Sequence, residues 1–384
     1  MGIGGSPPER FRLGHRPELD GLRGVAILSV LVYHTLNNRL HFPIFSGGYL
    51  GVDLFFVLSG FLITTILLEE WGRSGTVSLR MFYLRRVLRL APAYVSLLLV
   101  VLGLELLLLR AGPRFEQETR QTFQAIPATL FYVSNWVRTF EIFPLRSLSI
   151  TWSLAIEEQF YLLWPVSLLW GLRRGWSPKR LLAVTLSLMA ASMALRFGLH
   201  LNGQPWDRSY YGTDARVGEL LAGCALGIIA TSGWLPPASR WLRLSTQTGM
   251  LLVGVLVLVS PNPGIAGMWM HAAYPLLAIL VAGGVISLLV DTGSLMAAVM
   301  RMAWLRWIGR ISYGLYLWHS VLLYFVSLIW LGDTTLSVIV GMGMTMVVVI
   351  GSYYLIERPA LKLKSRLRRS ASISSPVPVG GGSD

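Results

Sequence analysis

The 384-residue chain is strongly apolar and basic: 54% of its residues are hydrophobic, only 14% are charged, and the formal net charge is +14. A soluble domain carries about 25% charged residues. The charged residues here are too few to cover a water-exposed surface, which excludes a soluble protein and indicates that lipid covers most of the surface. The basic residues form short clusters between long apolar runs, which argues against nucleic-acid binding and is typical of membrane loops. The single cysteine, Cys224, excludes an intramolecular disulfide and a zinc site built on cysteines.

Ten apolar segments approach or reach the roughly 20 residues that are needed to cross a bilayer. They are residues 20–39, 48–69, 88–109, 150–171, 180–200, 214–231, 246–260, 270–290, 310–331 and 335–356. The seventh segment is short. The apolar stretch 123–136 contains Pro127, which indicates a re-entrant or interfacial piece. The sequence therefore predicts an all-α, polytopic membrane helix bundle with about ten transmembrane helices.

The distribution of Lys and Arg predicts the orientation of this bundle. Most of the 33 basic residues fall on one side when the N-terminus is placed in the cytoplasm, as the positive-inside bias requires. We expect a cytoplasmic N-terminal segment at 1–16, without a cleaved signal peptide. Residues 17–360 are predicted to form the transmembrane domain, and 361–384 a basic and then disordered tail. Both termini are thus expected in the cytoplasm.

Ionisable residues inside apolar segments are costly in lipid and indicate a partner or a function. His34 and Arg23 lie eleven residues apart, which places them on one face of a helix, about 16 Å apart along its axis. Asp53 is expected at the same depth as His34, where a carboxylate would orient the imidazole and raise its basicity; a buried structural pair is the alternative. His319 is either a hydrogen-bonded core residue or part of a substrate site.

Two further groups of charged residues allow two interpretations each. Glu157 and Glu158 point about 100° apart on a helix, so we expect one of them to face the interior, either in catalysis or in an interhelical hydrogen bond. Arg216 could bind an anion or pair with a carboxylate. No arrangement of histidines or carboxylates predicts a metal site.

Three arginines occur in the run FYLRRVLRLAPAY at residues 82–94, where a helix is expected to begin at the membrane surface. They are Arg85, Arg86 and Arg89. Guanidinium forks bind phosphate oxygens well, although ordinary positive-inside anchoring would produce the same cluster.

Taken together, these motifs resemble those of the acyltransferase-3 family of bacterial membrane proteins, which O-acylate sugars and related acceptors. The matching stretches are RPELDGLRGVAILSVLVYH (16–34), GYLGVDLFFVLSGFLIT (48–64), FYLRRVLRLAPAY (82–94), TWSLAIEEQFYLLWP (151–165), TDARVGELLAGCALG (213–227), ISYGLYLWH (311–319) and YYLIERP (353–359). They follow the order of the family and cover nearly the whole chain.

The resemblance implies roles for individual residues. Arg23 and His34 match the family's Arg-x10-His motif, which implies that His34 is the catalytic histidine, acting as a general base with help from Asp53 or Glu158. The residues implied to hold acyl-CoA are Arg23, Arg85, Arg86 and Arg89. The residues expected to contact substrate, all within the matched stretches, are Ser59, Trp152, Arg216 and His319.

The function expected from the sequence is transfer of an acyl group, most simply acetyl, from cytoplasmic acyl-CoA to a hydroxyl of a carbohydrate-type acceptor. The expected location is the lipid bilayer of the bacterial cytoplasmic (inner) membrane, without a metal and without nucleic acid. Transfer would be direct or would pass through an acyl-enzyme on a serine or on His34. The alternatives are acylation of a natural product at the inner face and transport of a lipid or sugar.

Overall fold

The computed structural model describes residues 11–261 and 268–362, and every regular element in these ranges is helical. In chain order the α-helices are α1 (Pro17–Val32), α2 (Gly51–Ser74), α3 (Leu79–Ala111), α4 (Glu116–Leu130), α5 (Ser134–Thr139), α6 (Thr151–Arg173), α7 (Pro178–Leu201), α8 (Trp206–Tyr211), α9 (Thr213–Thr231), α10 (Arg240–Val259), α11 (Met268–Val290), α12 (Leu295–Met300), α13 (Ala303–Arg310), α14 (Ser312–Val326) and α15 (Thr335–Ser352). The all-α prediction is confirmed. Most of the predicted N-terminal segment and nearly all of the predicted tail lie outside the described residues.

Among the described residues, seven helical stretches are long and apolar enough to cross a membrane. They are Pro17–Asn37, Gly48–Ser74, Leu79–Ala111, Pro178–Leu201, Arg240–Val259, Ser312–Ile329 and Thr335–Lys362. The other three predicted spans coincide with α6, α9 and α11. Carboxylates and an arginine interrupt the apolar sequence of α6 and α9. The structure thus supports a multi-pass membrane bundle, while the number of ten spans and the cytoplasmic termini stay predictions.

Local sequence explains where the helices of the first hairpin begin and end. α1 begins with Pro17, whose fixed φ suits the first helical position, and it carries Glu18 and Asp20 in its first turn. It continues into a π-helical turn, Tyr33–Asn37, and such turns are frequent at functional sites. α2 is terminated by Gly75 in the left-handed conformation at φ 66°. His34 therefore lies on the π turn and not on a regular helix.

The helix α3 has 33 residues and spans about 50 Å, which exceeds the roughly 30 Å of a bilayer's hydrocarbon core. Arg85, Arg86 and Arg89 lie near the start of the helix, as the sequence predicted, although the helix begins at Leu79, before the predicted span. Arg86 and Arg89 lie within its first three turns. They can therefore sit at the membrane surface while the remainder of the helix is apolar.

The helices α4 and α5 form a hairpin whose turn enters the bundle. The Tyr94 hydroxyl in α3 donates to the carbonyl oxygen of Thr129 at 2.7 Å, and the Gln159 amide in α6 donates to that of Tyr132 at 2.7 Å. The rings of Tyr94 and Tyr132 stack with centroids 4.9 Å apart. These contacts support the re-entrant interpretation of residues 123–136.

The centre of the bundle is the contact between α2 and α9. A Cβ added at Gly60 would lie 1.9 Å from the carbonyl oxygen of Leu220, and one added at Gly223 would lie 2.0 Å from that of Val57. The two backbones therefore touch directly. Small residues allow such close approach between helices in membranes, where association depends on packing because lipid is itself apolar.

The bundle has two sides, which we name after the residues near them. The arginine side is the one at which α1 begins at Pro17 and α2 ends at Ser74, close to Arg23 and Arg86. The histidine side is the opposite one, at which α1 runs into the turn that holds His34.

We expect Gly60→Ala to destabilise the protein, because the added methyl group must push two backbones apart. Overpacking of this kind costs about 1–3 kcal/mol. The measurement is the apparent melting temperature of the purified protein in detergent. Gly103→Ala is the matched control, because no atom lies within 4 Å of a Cβ at that helical glycine. Equal melting temperatures for the two variants would contradict the close packing of α2 on α9.

Candidate active site

Two histidines from different helices meet on the histidine side. His34 Nδ1 lies 3.4 Å from His319 Nε2, and the ring centroids are 5.1 Å apart. His319, on α14, is completely buried, whereas His34 is half-buried. His34 therefore remains partly accessible while its partner is enclosed.

Backbone carbonyls fix the protonation of both rings. His34 Nδ1 lies 3.0 Å from the carbonyl oxygen of Val30, and His319 Nδ1 lies 2.9 Å from that of Leu315. A carbonyl only accepts, so each Nδ1 carries a proton and donates it, and each neutral ring keeps its lone pair at Nε2. The Nε2 of His319 then accepts from Nδ1–H of His34. The Nε2 of His34 has no hydrogen-bond partner among the described residues and is available as a base.

The structure corrects the expected contact between Asp53 and His34. Asp53 Oδ1 lies 3.0 Å from Arg216 Nη2, and both side chains are completely buried. The group that faces His34 is His319, not a carboxylate. Of the two interpretations of Arg216, pairing with a carboxylate is the one that the geometry favours.

Arg216 and Asp53 belong to a larger buried network that joins α2, α7 and α9. Glu219 Oε1 lies 2.8 Å from Arg196 Nη2 and 3.7 Å from Arg216 Nη1, and Arg196 Nε donates to the carbonyl oxygen of Ala215 at 2.9 Å. Two arginines thus face two carboxylates, and all four side chains are at most 2% exposed. Equal numbers of buried positive and negative groups indicate a structural network.

Aromatic rings enclose the Arg216 guanidinium. It lies 5.4 Å from the ring centroid of Phe56, 5.8 Å from that of Trp152 and 4.9 Å from that of Tyr210. Trp152 is 6% exposed and also packs on Tyr211, with centroids 4.9 Å apart. The structure therefore buries Trp152 and Arg216, both expected to contact substrate, in a cluster of aromatic rings and ion pairs between α2, α6, α8 and α9.

On the arginine side, three arginines from two helices come together. Arg23 of α1 and Arg86 and Arg89 of α3 are mutual electrostatic neighbours. Arg23 Nη2 donates to the Ser312 hydroxyl at 3.2 Å, and its buried Nε has no hydrogen-bond partner among the described residues. Arg89 is exposed and forms neither a hydrogen bond nor an ion pair with any described residue. We call these three residues the arginine cluster.

Carboxylates offset part of this charge. Glu158 Oε1 lies 3.1 Å from Arg86 Nη2, and the Arg86 guanidinium lies over the Tyr161 ring. Glu157 accepts a hydrogen bond of 2.7 Å from the Ser59 hydroxyl and is an electrostatic neighbour of Arg23. Both glutamates therefore contact neighbouring helices on the arginine side, and neither is brought to His34.

Arg85 does not join the arginine cluster. Its Nη2 lies 3.2 Å from Glu70 Oε2, at the end of α2. The sequence predicted that Arg85 and Arg89 share one helix face. In the structure Arg85 instead pairs with α2, and Arg86 and Arg89 lie near Arg23. The grouping of all three arginines of α3 is thus corrected.

The sequence did not identify three residues that lie near His34 on the histidine side, Arg138, Tyr211 and Asp207. Arg138, from the hairpin of α4 and α5, is an electrostatic neighbour of His34 and Tyr33. Its guanidinium lies 4.1 Å from the ring centroid of Tyr211, and Asp207 lies close by. The available signal for Arg138 was a cation directly after the apolar stretch 123–136. Tyr211 and Asp207 carried none, because α8 brings them there only in the folded chain.

The described residues contain no group of three His, Cys, Asp or Glu side chains close enough to hold a metal ion. Among the described residues no carboxylate forms a hydrogen bond or an ion pair with either histidine. The lone pair at His34 Nε2 can accept a proton, and the guanidinium groups of the arginine cluster can bind an anion.

The chain belongs to the acyltransferase-3 family. The family model, described as an acyltransferase domain, matches residues 16–356. This range contains both histidines, the buried ion network and the arginine cluster, and its match confirms the resemblance seen in the sequence motifs. The protein is accordingly a multi-pass membrane protein of an acyltransferase family.

Several curated proteins are similar to the chain. It is 35% identical over 321 residues to the peptidoglycan O-acetyltransferase OatA of Listeria monocytogenes, covering 81% of this chain and 50% of the relative. The putative peptidoglycan O-acetyltransferase YrhL of Bacillus subtilis is 35% identical over 362 residues, with coverages of 89% and 54%. The O-acetyltransferase OatA of Staphylococcus aureus is 34% identical over 360 residues, with coverages of 90% and 57%. The chain thus spans about half the length of these relatives. No solved structure matches it.

We expect Asp53→Asn to destabilise the protein strongly, because Arg216 would be left as a buried cation without its counter-charge. Breaking a buried pair in this way costs about 3–5 kcal/mol. The double variant Asp53→Leu with Arg216→Met removes both charges and leaves the Arg196–Glu219 pair, so it should recover much of that loss. Thermal unfolding in detergent measures both. A double variant less stable than the single one would refute the structural assignment of this pair.

Proposed function

We propose that this protein transfers an acetyl group from acyl-CoA to a hydroxyl of a carbohydrate acceptor, with His34 as the general base. The observation that carries the proposal is the arrangement of α1 and α14. On the arginine side these helices hold Arg23 and Ser312, and on the histidine side they hold His34 and His319. Anion binding and proton transfer would thus occur at two different levels of the same helix pair.

The arginine cluster supports a phosphate-bearing donor. The unpartnered Nε of Arg23 and the exposed, unpaired Arg89 offer hydrogen-bond donors to an anion. Guanidinium groups are well suited to phosphate oxygens. Acyl-CoA meets this requirement, because its phosphates lie at one end and its thioester at the other. With phosphates at the arginine cluster, the extended pantetheine arm would run along α1 towards His34.

The hydrogen bonds of His34 support its role as the base. Val30 and His319 hold the proton at Nδ1, so the lone pair at Nε2 is directed elsewhere in a fixed orientation. After His34 accepts a proton at Nε2, the same two acceptors stabilise the imidazolium through Nδ1–H. This assigns to His319 the orienting role that the sequence had given to Asp53, and a positioned base of this kind accelerates a reaction about 10²–10⁴-fold.

In the proposed transfer, each bond that forms is matched by one that breaks, and the proton passes to the leaving group. The acceptor hydroxyl gives its proton to His34 Nε2, and its oxygen forms a bond to the thioester carbonyl carbon. The carbon–sulfur bond breaks, and the departing thiolate takes the proton back from His34. The products are the acetyl ester and free coenzyme A, and His34 returns to its neutral state.

The acceptor would enter from the histidine side. Two of the relatives are named for O-acetylation of peptidoglycan, and a glycan of this type supplies the required hydroxyl. Tyr33, Tyr211, Arg138 and Asp207 surround the approach to His34 and offer aromatic faces with polar groups between them. We place the arginine side in the cytoplasm, in agreement with the positive-inside bias, and the protein in the inner membrane.

We expect the double variant Arg86→Ala with Arg89→Ala to lose donor affinity, because it removes two cations of the arginine cluster. The measurement is calorimetric titration of the purified protein with acetyl-CoA, and the affinity should fall at least about tenfold. Arg85→Ala is the matched control, because Arg85 pairs with Glu70 outside the cluster. If folded wild-type protein binds no acyl-CoA, the donor assignment fails and transport becomes the alternative to test.

We expect His34→Ala to bind acetyl-CoA like the wild type and to lose turnover by about 10²–10⁴-fold, because only the base is removed. His319→Ala should lower kcat with little change in KM, since it removes the acceptor that orients His34. His319→Gln should restore part of kcat, because its amide oxygen can accept from Nδ1–H. His41→Asn, at an exposed histidine in the following loop, is the control. An unchanged kcat in His319→Ala would exclude the positioning role.

A further inference from the structure

A separate cavity of about 320 Å³ opens on the arginine side. It lies between α13, the start of α14 and the π-helical turn Tyr353–Glu357 that follows α15. Its lining residues are Trp307, Arg310, Ile311, Tyr353, Tyr354 and Arg358. This volume lies at the lower end of the roughly 300–1,000 Å³ that is usual for ligand pockets.

The lining combines two cations with aromatic rings. Arg310 and Arg358 are exposed, and neither forms an ion pair with a described residue. The Arg358 guanidinium lies 5.6 Å from the ring centroid of Tyr354, and Trp307 provides a second ring. Guanidinium forks bind phosphate, and flat aromatic faces stack on nucleobases. This combination is suited to a phosphorylated nucleoside.

The cavity lies beside the arginine cluster, because two of its lining residues are chain neighbours of residues that contact the cluster. Ile311 precedes Ser312, which accepts the 3.2 Å hydrogen bond from Arg23. Arg358 follows Glu357, which is an electrostatic neighbour of Arg89. A long ligand with one end in the cavity would therefore extend towards Arg23 and Arg89.

Charge balance indicates why a donor needs this cavity as well as the arginine cluster. Arg86 already pairs with Glu158, and Glu157 and Glu357 face Arg23 and Arg89. Coenzyme A carries a diphosphate and a separate 3′-phosphate on its ribose. The arginine cluster, partly neutralised by its glutamates, leaves some of that negative charge without a counter-charge, and Arg310 and Arg358 can supply it.

We propose that this cavity binds the phosphorylated adenosine end of acyl-CoA, with Arg310 and Arg358 holding the 3′-phosphate and Trp307 and Tyr354 contacting the adenine. The inference rests on the proposed acyl-CoA donor and adds to it a second part of the donor site. Anionic lipid headgroups also carry phosphate but no purine ring. The ligands used in the test therefore distinguish a nucleotide site from a lipid headgroup site.

The experiment uses the full-length protein in detergent and calorimetric titration with coenzyme A, dephospho-coenzyme A and adenosine 3′,5′-bisphosphate. Wild type is expected to bind coenzyme A more tightly than the form without the 3′-phosphate. The double variant Arg310→Gln with Arg358→Gln should bind coenzyme A and the bisphosphate at least about tenfold more weakly. It should bind dephospho-coenzyme A nearly as the wild type does, which also shows that it is folded. Arg306→Gln, on the same helix but outside the cavity, should change nothing.

Each other outcome overturns the proposal in a distinct way. If the double variant retains wild-type affinity for coenzyme A, the cavity is not part of the donor site, although the proposed function stands. If folded wild type binds none of the three nucleotides, both the donor and this site are refuted. Binding of phosphatidylglycerol and of phosphatidylcholine is also compared in nanodiscs. If the double variant binds the nucleotides as the wild type does and binds only phosphatidylglycerol more weakly, the cavity is a lipid headgroup site and not a nucleotide site.

Discussion

The ion pair between Asp53 and Arg216 is the interaction on which the remainder of the bundle depends. It is completely buried and joins α2 to α9, the two helices whose backbones touch at Gly60 and Gly223. An unpaired charge at this place would cost several kcal/mol, so separating α2 from α9 would carry that cost in addition to the lost packing. α1 packs on the same helix, since a Cβ at Gly51 would lie 2.3 Å from the carbonyl oxygen of Ala26. The position of His34 is therefore set by this core.

Charge pairing separates the structural ions from those that can meet a ligand. Arg196 and Arg216 are buried and face two carboxylates, so their charges are satisfied within the protein. Arg89 and Arg310 are exposed and have no ion pair with a described residue. In a low-dielectric bundle a cation without a carboxylate is tolerated where water or an anionic ligand reaches it. Function is accordingly to be sought on the arginine side for the anion and on the histidine side for the base.

The histidine pair illustrates how buried imidazoles can be held neutral and oriented without a neighbouring carboxylate. The carbonyls of Val30 and Leu315 and the second ring supply acceptors for the protons, while both rings remain neutral. A neutral ring costs far less to bury than an ion does. The π-helical turn at Tyr33–Asn37 gives His34 its own local geometry at the end of α1, so the ring proposed as the base is oriented by backbone groups that a side-chain substitution elsewhere leaves in place.

The sequence by itself determined the long apolar helices, because apolar runs and their breaks are local, and each predicted span coincides with a helix, whereas the shorter helices between them were not predicted. It also determined that Arg23 and His34 occupy opposite ends of one helix, because that follows from helical rise alone. Only the tertiary structure decided the partners: His319 and not Asp53 beside His34, Arg216 beside Asp53, and Arg85 outside the arginine cluster. Partners on different helices depend on how those helices cross and rotate against each other, and the periodicity within a single helix contains no information about that.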